Sequence, residues 1–145
     1  EMKKNGTVLI PTLMAFQGVT ERLGKGIYTP VVEEKIRAVA ETARVFMGKA
    51  MRWGVPIAFG TDAGVFGHGR NAGEFALMVA QGMGHREAFA TATTNAAKVL
   101  GMENEIGRIA PGYSADLIVI DGNPLEDTAT LENVGWVMVR GRVID

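Results

Sequence analysis

Ile57-Ala58-Phe59-Gly60-Thr61-Asp62-Ala63 is the stretch of sequence that decides the fold. Its apolar run follows Pro56 and is typical of a short strand that is covered on both faces, as in a parallel sheet. Asp62 comes where the run stops, at the carboxyl end of the strand. In α/β barrels the loops at that end carry the chemistry. Asp62 is therefore a candidate metal ligand or proton carrier, and a helix cap or turn former is the alternative.

The residues before this strand predict a strand–helix–strand unit. A first strand is expected at residues 7–13 and a glycine-rich loop at residues 18–28. Thr29 and Pro30 are typical of a helix start, and Gly54 is typical of a helix end. Between them, apolar residues recur at helical spacing: Ile36, Val39, Ala40, Ala43, Phe46, Met47, Ala50 and Met51. Two strands joined through a helix predict parallel pairing with a right-handed crossover.

The residues after Asp62 predict two helical regions and then a change to strands. Asn71 is expected to cap the first helix, with Glu74 at the reciprocal capping-box position. The second helix, at residues 86–100, is expected to break near Thr93-Thr94. Strands are expected at residues 115–120, 135–139 and 142–144, with Arg140-Gly141 as a hairpin turn.

Three motifs in a fixed order carry a family resemblance. They are Gly60-Thr61-Asp62-Ala63, then Thr94-Asn95-Ala96-Ala97-Lys98-Val99-Leu100-Gly101, then the segment from Gly107 to Asp121 with its Pro-Gly and Ala-Asp-Leu runs. Together they resemble the amidohydrolase superfamily. The continuation from Gly64 to Asn71, with Glu74, is similar to the imidazolonepropionase-like branch, which includes metal-dependent Xaa-Pro dipeptidases.

The resemblance implies an α/β fold, namely the C-terminal part of a (β/α)8 metal-dependent hydrolase barrel plus part of a small β-sandwich domain. Residues 1–101 would be the last strands and helices of the barrel, and residues 102–145 the C-terminal segment of the sandwich. The family also uses a His-x-His pair and further histidines, whereas this chain has only His68 and His85. A whole barrel needs about 250 residues. We therefore expect an N-terminal remainder of the enzyme elsewhere and an isolated chain that is not a competent hydrolase.

The resemblance also assigns a role to Asp62, and the positions of other residues suggest further roles. Asp62 would bind one metal, accept the proton of the metal-bound water and deliver it to the leaving nitrogen. The implied cofactor is zinc, as one or two ions. His68, Arg70 and Tyr28 are weaker candidates for substrate binding, with ordinary loop roles as their alternatives. Asp116 is expected to orient the turn before a buried strand at residues 117–119, and a surface role is expected for His85.

Composition restricts the classes of partner. Hydrophobic residues make up 47% of the 145 residues and charged residues 21%, which is typical of a globular domain. The net charge of −1 gives no basis for binding nucleic acid or an anionic membrane, and no apolar run approaches a membrane span. The absence of cysteine excludes disulfides and thiolate metal sites. The compartment is left open, with the cytoplasm favoured, and a homo-oligomer is possible.

Two functional hypotheses follow. In the first, the intact enzyme hydrolyses an amide or peptide C–N bond of a dipeptide or N-acyl amino acid, with a cyclic amide hydrolase or a deaminase as alternatives within the class. In the second, the chain is a non-catalytic fragment or assembly module that pairs with another chain through its open β edges.

Overall fold

The computed structural model describes residues 1–144, which form a mixed α/β structure. The helices come first and the strands last: α1 (Leu13–Thr20), α2 (Pro30–Arg52), α3 (Gly73–Ala80), α4 (His85–Ala92), α5 (Thr94–Val99), β1 (Leu117–Ile120), a 3-10 helix (Thr128–Glu132), β2 (Val134–Val139) and β3 (Arg142–Ile144). Among residues 1–144, no helix has both the length and the apolar character needed to cross a membrane.

The two segments predicted as parallel strands meet at one parallel bridge between Leu9 and Ile57. The amide of Leu9 donates to the carbonyl of Pro56 at 2.9 Å, and the amide of Ala58 donates to the carbonyl of Leu9 at 3.0 Å. Parallel pairing is therefore confirmed. The extent of the first strand was wrong, because α1 already begins at Leu13 and occupies the start of the expected glycine-rich loop. Helix α1 forms there because it buries Leu13 and Met14 in the core.

Helix α2 begins and ends where the sequence predicts. Thr29 precedes its first residue, Pro30, and Gly54 takes a left-handed φ of 66° just beyond its end. Its apolar face is buried only near the carboxyl end, at Met47, Gly48 and Ala50. Residues 31–46, in contrast, expose most of their apolar side chains.

The expected helix break is present at Thr93, whose φ of −118° and ψ of −95° separate α4 from α5. The break leaves the carbonyl of Thr91 free to accept a hydrogen bond from the amide of Phe59 at 3.0 Å. One turn later, the side chain of Asn95 donates from Nδ2 to the carbonyl of Ile57 at 2.9 Å. The segment that leads to Asp62 is thus bonded to Leu9 on one side and to the α4–α5 junction on the other.

The three strands form an antiparallel sheet in the order β1-β2-β3. Arg140 and Gly141, with φ of 50° and 75°, form the predicted hairpin turn between β2 and β3. Asp116 orients this turn through its Oδ1, which accepts a hydrogen bond from the amide of Arg140 at 2.7 Å. It is also hydrogen-bonded to the side chain of Ser114, just before β1, in agreement with the role expected for it. The expectation that β1 is buried was wrong, because Ile118 and Val119 are 48% and 56% exposed.

One hydrophobic core joins the helices to the C-terminal region. Its buried members come from α1 to α4, from the Ile57 segment and from the 3-10 helix: Leu13, Met47, Ile57, Phe75, Met78, Met83, Ala88 and Leu131. Phe59 packs beside this core with its ring centroid 4.5 Å from that of Phe75. Asp62, three residues after Phe59, therefore follows a segment that the core holds in place.

Candidate active site

Two strained backbone positions lie together at the carboxyl ends of the paired segments. Thr12 has a φ of 45° and Asp62 a φ of 54°, both in the left-handed region. This region is uncommon for residues other than glycine, and a β-branched threonine there is a true outlier. A Cβ atom on Gly60 would lie 3.8 Å from the Thr12 methyl group and would overlap Ile10, so only glycine fits between the two segments. Strained residues held by their surroundings are concentrated at functional sites.

The carboxylate of Asp62 projects from this edge and is exposed. Within residues 1–144, its oxygens accept no hydrogen bond and it forms no salt bridge. Asp62 does not act as a helix cap, which was the alternative role. The next helix, α3, begins after Ala72 and has no side-chain cap. A turn does start here, because the amide of Val65 donates to the Asp62 carbonyl at 3.4 Å.

The segment from residue 62 to residue 72, here called the Asp62 loop, is fastened to the two residues that follow α1. Arg70 makes two hydrogen bonds to the Glu21 carboxylate, at 2.9 and 2.6 Å. Arg22 donates from Nη2 to the carbonyl of Val65 at 2.6 Å. The hydrogen bond from Arg70 lowers the pKa of Glu21 from its ordinary value to about 2. The loop that contains Asp62 is therefore anchored at two points along its length.

The predicted substrate-binding residues are distributed over two segments. His68 lies exposed on the Asp62 loop between Gly67 and Gly69. Arg70 lies on the same loop, and its guanidinium is paired with Glu21. Tyr28 is half-buried and lies in the connection between α1 and α2. The structure thus places Asp62, His68 and Arg70 on one loop and Tyr28 outside it.

The capping interaction expected for the next helix is absent. Asn71 instead pairs through its Oδ1 with the hydroxyl of Thr61 at 3.1 Å. Glu74 is wholly buried and turns towards α1, where its two oxygens accept hydrogen bonds from the amides of Leu13 at 2.9 Å and Met14 at 2.7 Å. Burial raises the pKa of Glu74 above its ordinary value, and the two amides oppose that shift.

Sequence reasoning missed this contact, because it assigned Glu74 to its own helix. No sequence signal pointed to the start of α1 as its partner, because residues 7–13 were expected to form a strand.

His85 also has a more specific place than the surface role expected of it. It begins α4, as predicted, and is half-buried. Its Nδ1 accepts a hydrogen bond from the amide of Thr128 at 3.2 Å. His85 therefore connects α4 to the 3-10 helix and takes no part in the edge that contains Asp62.

Residues 1–144 do not by themselves form a metal site. They contain no group of three or more histidine, cysteine, aspartate or glutamate side chains that could hold a metal ion. The free oxygens of Asp62 suit a divalent metal, but one carboxylate does not complete the coordination of zinc, which takes four ligands in most sites. Among the described residues at this edge, Asp62 could therefore fill one ligand position of such a metal.

Comparison with known proteins places these motifs in a family. The model of the amidohydrolase family matches residues 19–144. A crystal structure of a Xaa-Pro dipeptidase with methionine bound in its active site superposes with a TM-score of 0.93 and 41% identity, covering 99% of this chain and 36% of that one.

Curated protein sequences also match this chain. Ochratoxinase from Aspergillus niger is 32% identical over 130 residues, which are 87% of this chain and 26% of that protein. A 5-methylthioadenosine/S-adenosylhomocysteine deaminase from Symbiobacterium thermophilum is 36% identical over 110 residues, 68% of this chain and 24% of that protein. The chain thus spans about a quarter of the length of these curated relatives. On the family match and on the likeness to the dipeptidase, which confirm the resemblance seen in the sequence, the chain belongs to the amidohydrolase family.

Proposed function

We propose that this chain is the C-terminal part of a metal-dependent amidohydrolase that breaks an amide or peptide C–N bond. Residues 1–101 would provide the last strands and helices of a (β/α)8 barrel, and residues 102–145 the C-terminal segment of a β-sandwich domain. Two observations support this arrangement: the parallel bridge between Leu9 and Ile57, and the match to only about a third of the dipeptidase chain. The remaining barrel strands would come from the N-terminal remainder of the enzyme, and the isolated chain would be inactive.

The observation that carries the proposal is the free carboxylate of Asp62 at the carboxyl end of a parallel segment. In barrel enzymes this edge holds the reacting groups. We assign Asp62 two tasks, to ligate a metal and to move a proton. It takes a proton from the attacking water and passes it to the leaving nitrogen as the C–N bond breaks, which is general acid–base catalysis. The anchored Asp62 loop keeps the carboxylate in one place while it does so.

The proposed metal is zinc, as one or two ions, with the other ligands supplied by the N-terminal remainder. When bound, it supplies Lewis-acid activation of water, whose pKa it lowers towards about 7. Among residues 1–144, we assign this role to Asp62, whose carboxylate oxygens are free at the edge described above.

For the substrate we propose a dipeptide or an N-acyl amino acid. The likeness to a Xaa-Pro dipeptidase supports this choice, and the likeness to a deaminase keeps deamination, like cyclic amide hydrolysis, as an alternative within the class. His68 is proposed as a substrate contact because it is exposed on the Asp62 loop. Arg70 and Tyr28 are weaker proposals, since Arg70 is already paired with Glu21.

The test is Asp62→Asn in the full-length enzyme, assayed on a panel of Xaa-Pro and N-acyl substrates. We expect kcat to fall by about 10² to 10⁴ with the fold retained, because the amide cannot relay a proton. Asp121→Asn, at an exposed aspartate that follows β1, is the matched control and is expected to keep wild-type turnover. Near-native turnover by Asp62→Asn would falsify the assignment.

A second proposal, compatible with the first, is that the isolated chain acts as an assembly module. Its basis is the three-stranded sheet, where β1 and β3 are the outer strands and Val143 and Ile144 of β3 are exposed. Unpaired outer strands favour pairing with another chain. Light scattering after gel filtration is expected to give a mass above that of one chain, and a stable monomer would contradict the proposal.

A further inference from the structure

A buried carboxylate from α3 caps the start of α1. Both oxygens of Glu74 are used, one on the amide of Leu13 and one on that of Met14. These are the first two amides of α1, which have no partner within their own helix. Both oxygens thus face N–H donors, and that arrangement favours the ionised form of the carboxyl group.

The start of α1 has no capping side chain of its own. Thr12 stands at the N-cap position with φ of 45° and ψ of 46°, and its hydroxyl makes no cap hydrogen bond. An N-cap residue ordinarily has extended dihedrals, which let its side chain reach the first amides. Thr12 is turned away from that conformation, and Glu74 takes over the capping role from a different helix, about 60 positions along the chain.

The capped segment touches the strand end that leads to Asp62. Thr12 lies against Gly60, two residues before Asp62, and a side chain on Gly60 would overlap Ile10. Gly73, next to Glu74, approaches α1 so closely that an added Cβ would lie 2.8 Å from the sulfur of Met14. The contact between the starts of α1 and α3 is therefore tight, and any shift in it reaches the backbone beside Asp62.

We infer that Glu74 is a positioning residue for the reaction proposed above: by capping α1, it holds Thr12 in its left-handed conformation against Gly60 and so sets the place of Asp62. The inference rests on the proposed function of Asp62. In this role Glu74 touches neither substrate nor metal, and it acts through the backbone of residues 12–14.

The first test is Glu74→Gln in the full-length enzyme, with Glu87→Gln as the matched control. Glu87 also lies in the first turn of a helix, α4, but it is exposed and caps nothing. Glutamine has the size of glutamate but turns an NH₂ group towards one of the backbone donors. We expect kcat to fall about 10- to 100-fold with KM within about threefold, because displacement of a catalytic group by about 1 Å has effects of this size. Glu87→Gln is expected to leave both constants unchanged.

A second measurement separates positioning from general loss of structure. Backbone amide exchange at Leu13 and Met14 is expected to rise at least tenfold in Glu74→Gln. Adding Thr12→Gly to that variant is expected to restore part of kcat, since glycine adopts a positive φ without strain. If Glu74→Gln does not fold, Glu74→Asp gives the same test, because its carboxylate is one methylene short of the two amides.

The outcomes distinguish this inference from the proposed function. Absence of hydrolysis by the unmutated full-length protein overturns the proposed function itself. Hydrolysis that continues in Glu74→Gln with wild-type kcat overturns the positioning role alone. Loss of kcat without faster exchange at residues 13 and 14, and without recovery on adding Thr12→Gly, also overturns it. A fall in kcat at constant KM, with faster exchange and recovery, supports it.

Discussion

Replacing Gly18 by alanine tests how tightly α1 packs against the Asp62 loop. Gly18 is buried inside α1, and a Cβ atom there would lie 2.8 Å from the Cβ of Phe66 and 3.5 Å from the carbonyl oxygen of Val65. Both neighbours belong to the Asp62 loop, so the added methyl group must push that loop away from the helix. Gly48 is the matched control, because it is also buried inside a helix but would meet only the flexible ends of Arg52 and Gln81.

Two opposing terms set the size of the effect. Alanine in place of glycine inside a helix stabilises it by about 0.5–1 kcal/mol. Overpacking of a tight contact costs about 1–3 kcal/mol. Gly48→Ala has only the first term and is expected to stabilise the protein by up to about 1 kcal/mol. Gly18→Ala has both the helix gain and the overpacking cost. Its free energy of unfolding is therefore expected to lie about 1–3 kcal/mol below that of Gly48→Ala.

Urea unfolding of the two variants, followed by circular dichroism, measures this difference as a shift in midpoint at constant slope. In the full-length enzyme, Gly18→Ala is also expected to lower kcat, since the displaced loop includes Asp62. If Gly18→Ala were as stabilising as Gly48→Ala, the proposed tight contact between α1 and the Asp62 loop would not exist.

Two further predictions concern the supports of the same loop and strand. Glu21→Gln removes the ion pair with Arg70 and is expected to lower stability at neutral pH by less than about 1 kcal/mol, because the pair is exposed. The pKa of Glu21 is lowered to about 2, so the contribution is present above about pH 4.5 and is lost as the pH falls through 2. The melting temperatures of wild type and variant should approach each other as the pH is lowered, and an undiminished difference at pH 2 would contradict the pairing. Asn95→Ala removes the hydrogen bond to the Ile57 carbonyl and is expected to cost about 1–2 kcal/mol in thermal unfolding, whereas Asn104→Ala, in an exposed turn, should cost almost nothing; equal melting temperatures would show that the bond adds no stability.

Features set by short-range sequence signals were predictable. Pro30 and Gly54 delimit α2, and Arg140-Gly141 forms the hairpin turn, because each residue type restricts its own backbone. The parallel pairing of residues 9 and 57 was also predictable, since a helical crossover between two strands requires it.

Features that depend on distant residues were not predictable in the same way. Glu74 stands at a position typical of a capping box, but its carboxylate caps α1, about 60 residues earlier in the chain. Similarly, the Val/Ile-rich composition predicted a strand at Ile118 and Val119 but did not show how much of it is exposed. For the candidate site, the sequence predicted a role for Asp62 from its position after a strand, and that role stays a prediction. It gave no sign that Arg70 is paired with Glu21.

The junction between α4 and α5 has a consequence for how the chain tolerates changes in length. Thr91 and Asn95 are hydrogen-bonded to Phe59 and Ile57 respectively. The number of residues between Thr91 and Asn95 must therefore match the distance between the two bonding positions on the strand. Inserting or deleting one residue there would move one of the two bonds out of reach and loosen the segment that ends at Asp62. The exposed middle of the connection between α1 and α2, at residues 24–27, makes no such pair of bonds to the strand. Natural and engineered variation in length should therefore accumulate at residues 24–27 and be excluded from residues 91–95.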